Sequence, residues 1–203
     1  LDKVFEDAGR DVHNYMKFYR LNPMYRLHFG PEKYIDCYDV SHKDKMLSEL
    51  ARVFPSDQHG YDKFIEWETR RYKYTIPLLE KAYKHHGDLV SWDSIKALPY
   101  LTLGQSLFNL LGKFYSDPLL KLSFSFQAKY LGMSPWDCPA FFGLIPYVEH
   151  AFGVYHVEGG MSEISKGMEK AFHEFGGTLR LNTPVKQLKM DGKTVKSILL
   201  ENG

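Results

Sequence analysis

Between Leu98 and Phe152 aromatic side chains crowd a stretch that glycine or proline interrupts every few residues. Phe108, Phe114, Tyr115, Phe124, Phe126, Tyr130, Trp136, Phe141, Phe142, Tyr147 and Phe152 are interleaved with Gly104, Gly112, Gly132, Pro135, Pro139, Gly143 and Pro146. Proline removes a backbone donor and glycine restores conformational freedom, so neither sustains a long helix. The stretch is therefore expected to form short, offset helices with a large apolar surface to bury. Most of these side chains are core positions of a helical layer; such helices can also line an elongated cavity for a long hydrocarbon.

The flanking segments read differently. Residues 1–8 carry a short helical pattern (Val4, Phe5, Ala8) that stops near Gly9. From Met16 to Tyr38, two turn signals, Asn22-Pro23 and Gly30-Pro31, separate alternating runs, which predicts strands over 19–21, 25–29 and 33–38 in an antiparallel meander. Ser41 is placed to cap a helix ended by Pro55. Residues 57–86 hold the longest helical pattern, with Pro77 expected to kink or divide it. Helices are expected from Ser91 to Pro99 and from Gln105 to Tyr115. Asp117-Pro118 opens another, carried to Tyr130 and stopped at Gly132, and Pro135 begins one running to His150. After a strand over 154–157, residues 162–175 form an amphipathic helix closed by Gly176-Gly177. Strands over 178–181, 185–190 and 194–200 follow, the last two joined by a turn at Asp191-Gly192. Sheet, helices, then helix plus sheet is the order of an α+β fold, an antiparallel sheet with a large helical layer. The division expected is a substrate-binding domain over 1–157, with the meander at 16–40 and the helical block at 41–152, and a return segment over 158–203. Starting at Leu1 on a helical pattern and stopping on Glu201-Asn202-Gly203 just after a strand, the chain reads as a piece of a longer protein.

Composition removes several classes of function. With 26 basic and 25 acidic side chains, a net charge of +1 offers no long-range field for nucleic acid. Cys37 and Cys138 stand apart from any CxxC or Cys/His cluster, as expected of buried thiols in a reducing, cytoplasmic setting. The longest uncharged run, Ala97–Gly112, falls short of the roughly 20 apolar residues that span a bilayer. Contact with a membrane surface stays open.

Few residues advertise chemistry. No nucleophile elbow, P-loop, metal-binding pattern or GxGxxG is present. Glu149-His150 suggests acid/base work, since histidine titrates near neutrality, although a polar helix end reads the same way. Glu158-Gly159-Gly160-Met161, between a strand and a helix, would let backbone approach a flat ligand closely, or would be a plain turn.

The order of several short motifs points further. Phe126-Gln127-Ala128-Lys129-Tyr130-Leu131-Gly132, Ser134-Pro135, Ile145-Pro146-Tyr147-Val148-Glu149, Phe152-Gly153-Val154-Tyr155 and Glu158-Gly159-Gly160-Met161 resemble bacterial phytoene and diapophytoene desaturases. So do Phe175-Gly176-Gly177 and Leu181-Asn182-Thr183-Pro184-Val185. The resemblance implies the substrate domain of an amine-oxidase-like flavoprotein. It implies FAD as cofactor, held mainly by segments outside this chain, so that this piece alone would be inactive. Gly159, Gly160, Met161 and Val185 would contribute to cofactor binding. Phe126, Tyr130, Phe141, Phe142, Tyr147, Phe152 and Tyr155 would line a tunnel for an apolar polyene, and Glu149 or His150 would assist proton loss. The expected setting is cytoplasmic and peripherally membrane-associated. A related flavoenzyme acting on another apolar substrate (a carotenoid isomerase, an oxygenase or a retinol saturase-like enzyme) and a non-catalytic lipid-binding module are the alternatives.

Overall fold

The computed structural model describes residues 1–202. In chain order the elements are α1 (Asp2–Asp7), β1 (Phe18–Arg20), β2 (Tyr25–His28), β3 (Tyr34–Cys37), α2 (Lys43–Val53), α3 (Gly60–Leu79), α4 (Trp92–Ala97), α5 (Leu107–Leu111), α6 (Pro118–Ser123), α7 (Leu144–Phe152), β4 (Tyr155–Val157), α8 (Ser162–Glu174), β5 (Val185–Asp191) and β6 (Thr194–Leu200). Half the chain is helical and the strands form small antiparallel sheets, an α+β class. Two compact units divide it, one made of residues 20–155 and the other of residues 1–19 with 156–203.

In the larger unit, β2 and β3 form a hairpin with Tyr25 opposite Cys37 and His28 opposite Tyr34. Its inward positions Ile35 and Cys37 reach a core shared with Met46 and Leu50 of α2 and Tyr61 and Phe64 of α3. Leu107, Leu111, Leu120, Phe124 and Tyr147 complete that core from the glycine- and proline-broken stretch. Each fully buried leucine stabilises the fold by about 2 kcal/mol. Both cysteines are free and buried.

Short helices do fill the region after Leu98, but shorter than the sequence suggests. Asp117 caps α6 by accepting from the Leu119 amide at 2.7 Å. That helix ends at Ser123 rather than continuing to Tyr130, and the Ser123 and Ser125 hydroxyls bond back to the carbonyls of Leu119 and Lys121. A 3-10 stretch, Phe126–Leu131, follows and stops where Gly132 takes φ 67°. The helix expected from Pro135 is instead a 3-10 turn, Ala140–Gly143, leading into α7. The helix expected over 105–115 is α5 alone, capped by Ser106.

Other expectations are corrected. The meander does not form: β1 pairs with β4, so proximity in sequence misassigns its partner. Ser41 does not cap α2; Asp39 accepts from the Ser41 amide at 2.9 Å across a 3-10 turn, and α2 starts at Lys43. The long helix ends at Leu79 and is continuous through Pro77, which lies inside its last turn and does not divide it.

In the smaller unit, Phe5, Val12, Met16, Val157 and Ala171 make a separate core. Gly176 closes α8 at φ 79°. No strand forms over 178–181, and the hairpin turn falls on Gly192-Lys193, one residue later than expected. The hairpin β5–β6 leaves Val185, Leu188, Met190, Val195 and Ile198 about half exposed.

Candidate functional site

The broken helices leave one markedly apolar groove in the larger unit. Tyr72, Ile76 and Leu79 lie on one face of α3 at helical spacing; opposite them stand Phe141 and Phe142 of the 3-10 turn, and Leu144, Ile145, Val148 and Glu149 of α7. The volume is about 410 Å³, and the walls are hydrocarbon and aromatic. Glu149 is the sole acidic residue among those lining the groove.

Its carboxyl belongs to a small polar cluster. Gln127 Nε2 donates to Glu149 Oε2 at 2.6 Å and the Tyr25 hydroxyl donates to the same oxygen at 3.2 Å. Burial raises the pKa of Glu149 above the usual carboxylate value, against the opposing effect of those two hydrogen bonds. Oε1 accepts no hydrogen bond among the described residues.

His150, one residue on, points the other way. It is 0% exposed and stacks on Phe124 at 4.9 Å, which in turn stacks on Tyr115 at 4.9 Å. Its Nδ1 lies 3.0 Å from the Tyr38 carbonyl. A carbonyl only accepts, so Nδ1 carries the proton, and Nε2 faces the Tyr25 hydroxyl at 3.5 Å. Burial pushes the ring down to about 4, so it is neutral at physiological pH. Tyr25 thus stands between Glu149 and His150 with its one hydroxyl proton donated to Glu149, and burial raises the pKa of that hydroxyl well above the usual value.

The aromatic positions expected to line a tunnel disperse. Phe141 and Phe142 line the groove. Tyr147 is buried against Tyr72 at 5.6 Å, and Phe152 packs on the same ring at 5.6 Å while half exposed. Phe126 meets Tyr25 edge-on at 5.4 Å, Tyr130 is exposed, and Tyr155 lies under the Arg20 guanidinium. Sequence reasoning missed Tyr25 and Gln127, whose partners are distant in sequence. It also missed Tyr72 and Ile76, which the 72–76–79 spacing could have revealed.

In the smaller unit Gly159 and Gly160 both adopt positive φ, 85° and 98°. A Cβ on Gly160 would meet nothing within 4 Å, whereas one on Gly159 would press on Glu163 at 3.0 Å. The Gly160 amide is already committed to the Val157 carbonyl at 2.9 Å. Met161 is exposed beside this turn, and Val185 is a half-exposed first residue of β5. The turn is therefore open to solvent and fits close approach of a flat group to backbone.

No helix among the described residues is long and apolar enough to cross a membrane. No family model matches the chain. Curated proteins do match it from end to end. It is 39% identical over 203 residues to a 4,4'-diapophytoene desaturase (4,4'-diapolycopene-forming) of Methylomonas sp., covering 100% of this chain and 39% of that protein. It is 31% identical to an all-trans-zeta-carotene desaturase and 27% identical to a zeta-carotene-forming phytoene desaturase, both of Myxococcus xanthus. These also cover 100% of the chain and, respectively, 38% and 39% of the relative. The chain thus spans about two-fifths of the length of the curated relatives it matches. With both the ordered short motifs and the whole length of the chain shared, the 203 residues belong to the carotenoid desaturase family of the phytoene and diapophytoene type.

Proposed function

We propose that this chain supplies the hydrocarbon-binding part of a flavin-dependent desaturase acting on an apolar polyene of the phytoene or diapophytoene kind. The observation that carries the reading is the groove: about 410 Å³ enclosed by a wholly apolar wall, with Glu149 among its lining residues. A hydrocarbon offers no polar handle, so it is held by shape and burial, and a groove of this make is what such a ligand needs. A bound flavin supplies the hydride-accepting half of the reaction. This chain's residues do the rest. Tyr72, Ile76, Phe141, Phe142 and Val148 hold the chain and exclude water. Glu149, through its unengaged oxygen, takes the proton released from the carbon next to the one that loses hydride. Its raised pKa suits it to hold that proton. His150, neutral with its proton on Nδ1, places Nε2 3.5 Å from the Tyr25 oxygen, where it competes with the carboxyl for the one tyrosine proton. FAD is the flavin that the family resemblance implies; Gly159, Gly160, Met161 and Val185 would meet it with backbone, most of its contacts coming from outside this chain.

Peripheral membrane contact belongs to the same reading. Six large apolar side chains between 89 and 103 face solvent (Leu89, Val90, Trp92, Ile95, Leu98 and Leu103), while α4 buries only Ala97. A short helix that exposes its tryptophan and isoleucine and buries its alanine is built for contact with something apolar, and Lys96 lies 5.5 Å from the Trp92 ring as lysines do at lipid headgroups. The reading is tested by Val148→Trp in the full-length protein, at a half-exposed groove position that the fold does not rely on. Conversion of the polyene should fall by at least about tenfold with the fold unchanged. Undiminished conversion would refute the groove as the substrate site.

A further inference from the structure

Behind the groove lies a buried ion pair that the proposed chemistry does not use. Glu68 and Arg71 of α3 are both 0% exposed, with Arg71 Nη1 2.9 Å from Glu68 Oε1. Arg71 Nη2 donates to the Ala140 carbonyl at 2.8 Å and to Thr102 Oγ1 at 3.3 Å. The guanidinium carbon lies 5.4 Å from the Phe141 ring centroid. Gly143 packs on the same pair: a Cβ there would stand 3.0 Å from Glu68 Oε1 and 3.5 Å from Arg71 Nη1. Three residues of the 140–143 turn are therefore fixed by one ion pair, and the same turn turns Phe141 and Phe142 toward the groove.

The pair is a poor choice for stability alone. Glu68 Oε2 and Arg71 Nε are buried without hydrogen-bond partners. Two desolvated charges with orphaned atoms gain less than well-packed apolar residues of the same size would. Thr102, which one Arg71 nitrogen reaches, is also held at φ 47°, a backbone conformation that a threonine rarely adopts. What the guanidinium provides, and a methyl group cannot, is direction: a rigid fork that sets how far the Ala140 carbonyl stands from α3. Helix α3 carries Tyr72 and Ile76 on the facing wall. The fork consequently fixes the width of the groove.

We propose that Glu68 and Arg71 are positioning residues that set the gap between the Tyr72–Ile76 wall and the Phe141–Phe142 wall, and so determine which linear polyene the groove accepts. The inference rests on the reading of the groove as the polyene site. The test uses the full-length protein offered diapophytoene and, in competition, a chain of the same length made flatter by further conjugated double bonds, with the ratio of the two kcat/KM values as readout. A Glu68→Leu/Arg71→Met double variant should melt no earlier than wild type yet shift that ratio by at least about fivefold, since pocket shape discriminates hydrocarbons by such factors. Arg71→Lys, which keeps the charge but loses the fork, should shift it in the same direction and serves should the double variant fail to fold. An unchanged ratio in a folded variant that turns over both substrates would overturn the inference and leave the groove reading standing. A wild-type protein that converts neither polyene would overturn both.

Discussion

His150 is expected to give the protein an acid-sensitive stability whose size follows from its burial. The ring stays neutral in the fold down to about 4, whereas in the unfolded chain it takes up a proton below 6.5. A group with a depressed folded value binds its proton first in the unfolded state. Its contribution is therefore complete above 6.5 and is lost as pH falls toward 4. At about 1.4 kcal/mol per pH unit the whole gap is worth about 3 kcal/mol, of which about 2 kcal/mol is lost by about pH 5. Glu68, pushed up to about 7 by burial, and Glu149, also raised by burial, act in the opposite sense, because the folded protein protonates them first. The informative quantity is consequently the difference between wild type and His150→Phe, in which the carboxylates cancel. The phenylalanine keeps the stack on Phe124 but strands the Tyr38 carbonyl, a loss of about 1–3 kcal/mol at any pH. Urea unfolding at about pH 7.5 should therefore favour wild type, and the gap should shrink by about 2 kcal/mol at about pH 5. A gap that stays constant across that range would refute the placement of a neutral, buried histidine.

Three further outcomes follow from local geometry. Gly153 sits at φ 84° with the space for a Cβ only 2.7 Å from Arg20 Nε and 3.0 Å from Asp39 Oδ2, so Gly153→Ala should cost at least about 2 kcal/mol in thermal or urea unfolding by strain and by displacing that ion pair. Asp57 accepts from the Ser116 amide at 2.9 Å and from the Asp117 amide at 2.7 Å just before α6, and Asp57→Ala should lower stability by about 2–3 kcal/mol, read as a lower urea midpoint at unchanged m. Trp92→Ser, at a residue 68% exposed, should leave the melting temperature within about 1–2 °C of wild type while reducing co-flotation with liposomes; undiminished flotation would remove α4 from the lipid-facing surface.

What could be read from the sequence was local. The Asp117-Pro118 start, the Gly176-Gly177 stop and the amphipathic α8 are signals carried within a few residues, and each appears where its chemistry puts it. Partners distant in the chain were not legible. Residues 18–20 alternate as a strand should, but nothing in them says that β4, more than a hundred residues on, is the neighbour. Glu149-His150 shows the same limit at the site. As adjacent letters they suggest one acid/base unit, yet on a helix neighbouring side chains diverge by about 100°. One consequently reaches the groove while the other enters the core between Tyr61 and Phe124.

That divergence also bears on why so little chemistry was visible at all. A ligand with polar groups imposes a matching set of polar residues on its site, and spacing motifs record them. A hydrocarbon imposes only a width and a length. On the polyene reading, selectivity must then come from walls that hold their separation against the softness of aromatic and aliphatic packing. Apolar contacts are non-directional and repack at little cost, so they fix volume better than they fix distance. Directional contacts are needed one layer back, out of the ligand's reach. The buried Arg71 fork on the Ala140 carbonyl, and the Gln127 and Tyr25 bonds to Glu149, occupy that layer. The polar residues that govern such a site would then be buried behind the groove, spread across sequence separations of 22, 69 and 124 residues, where no motif could have announced them.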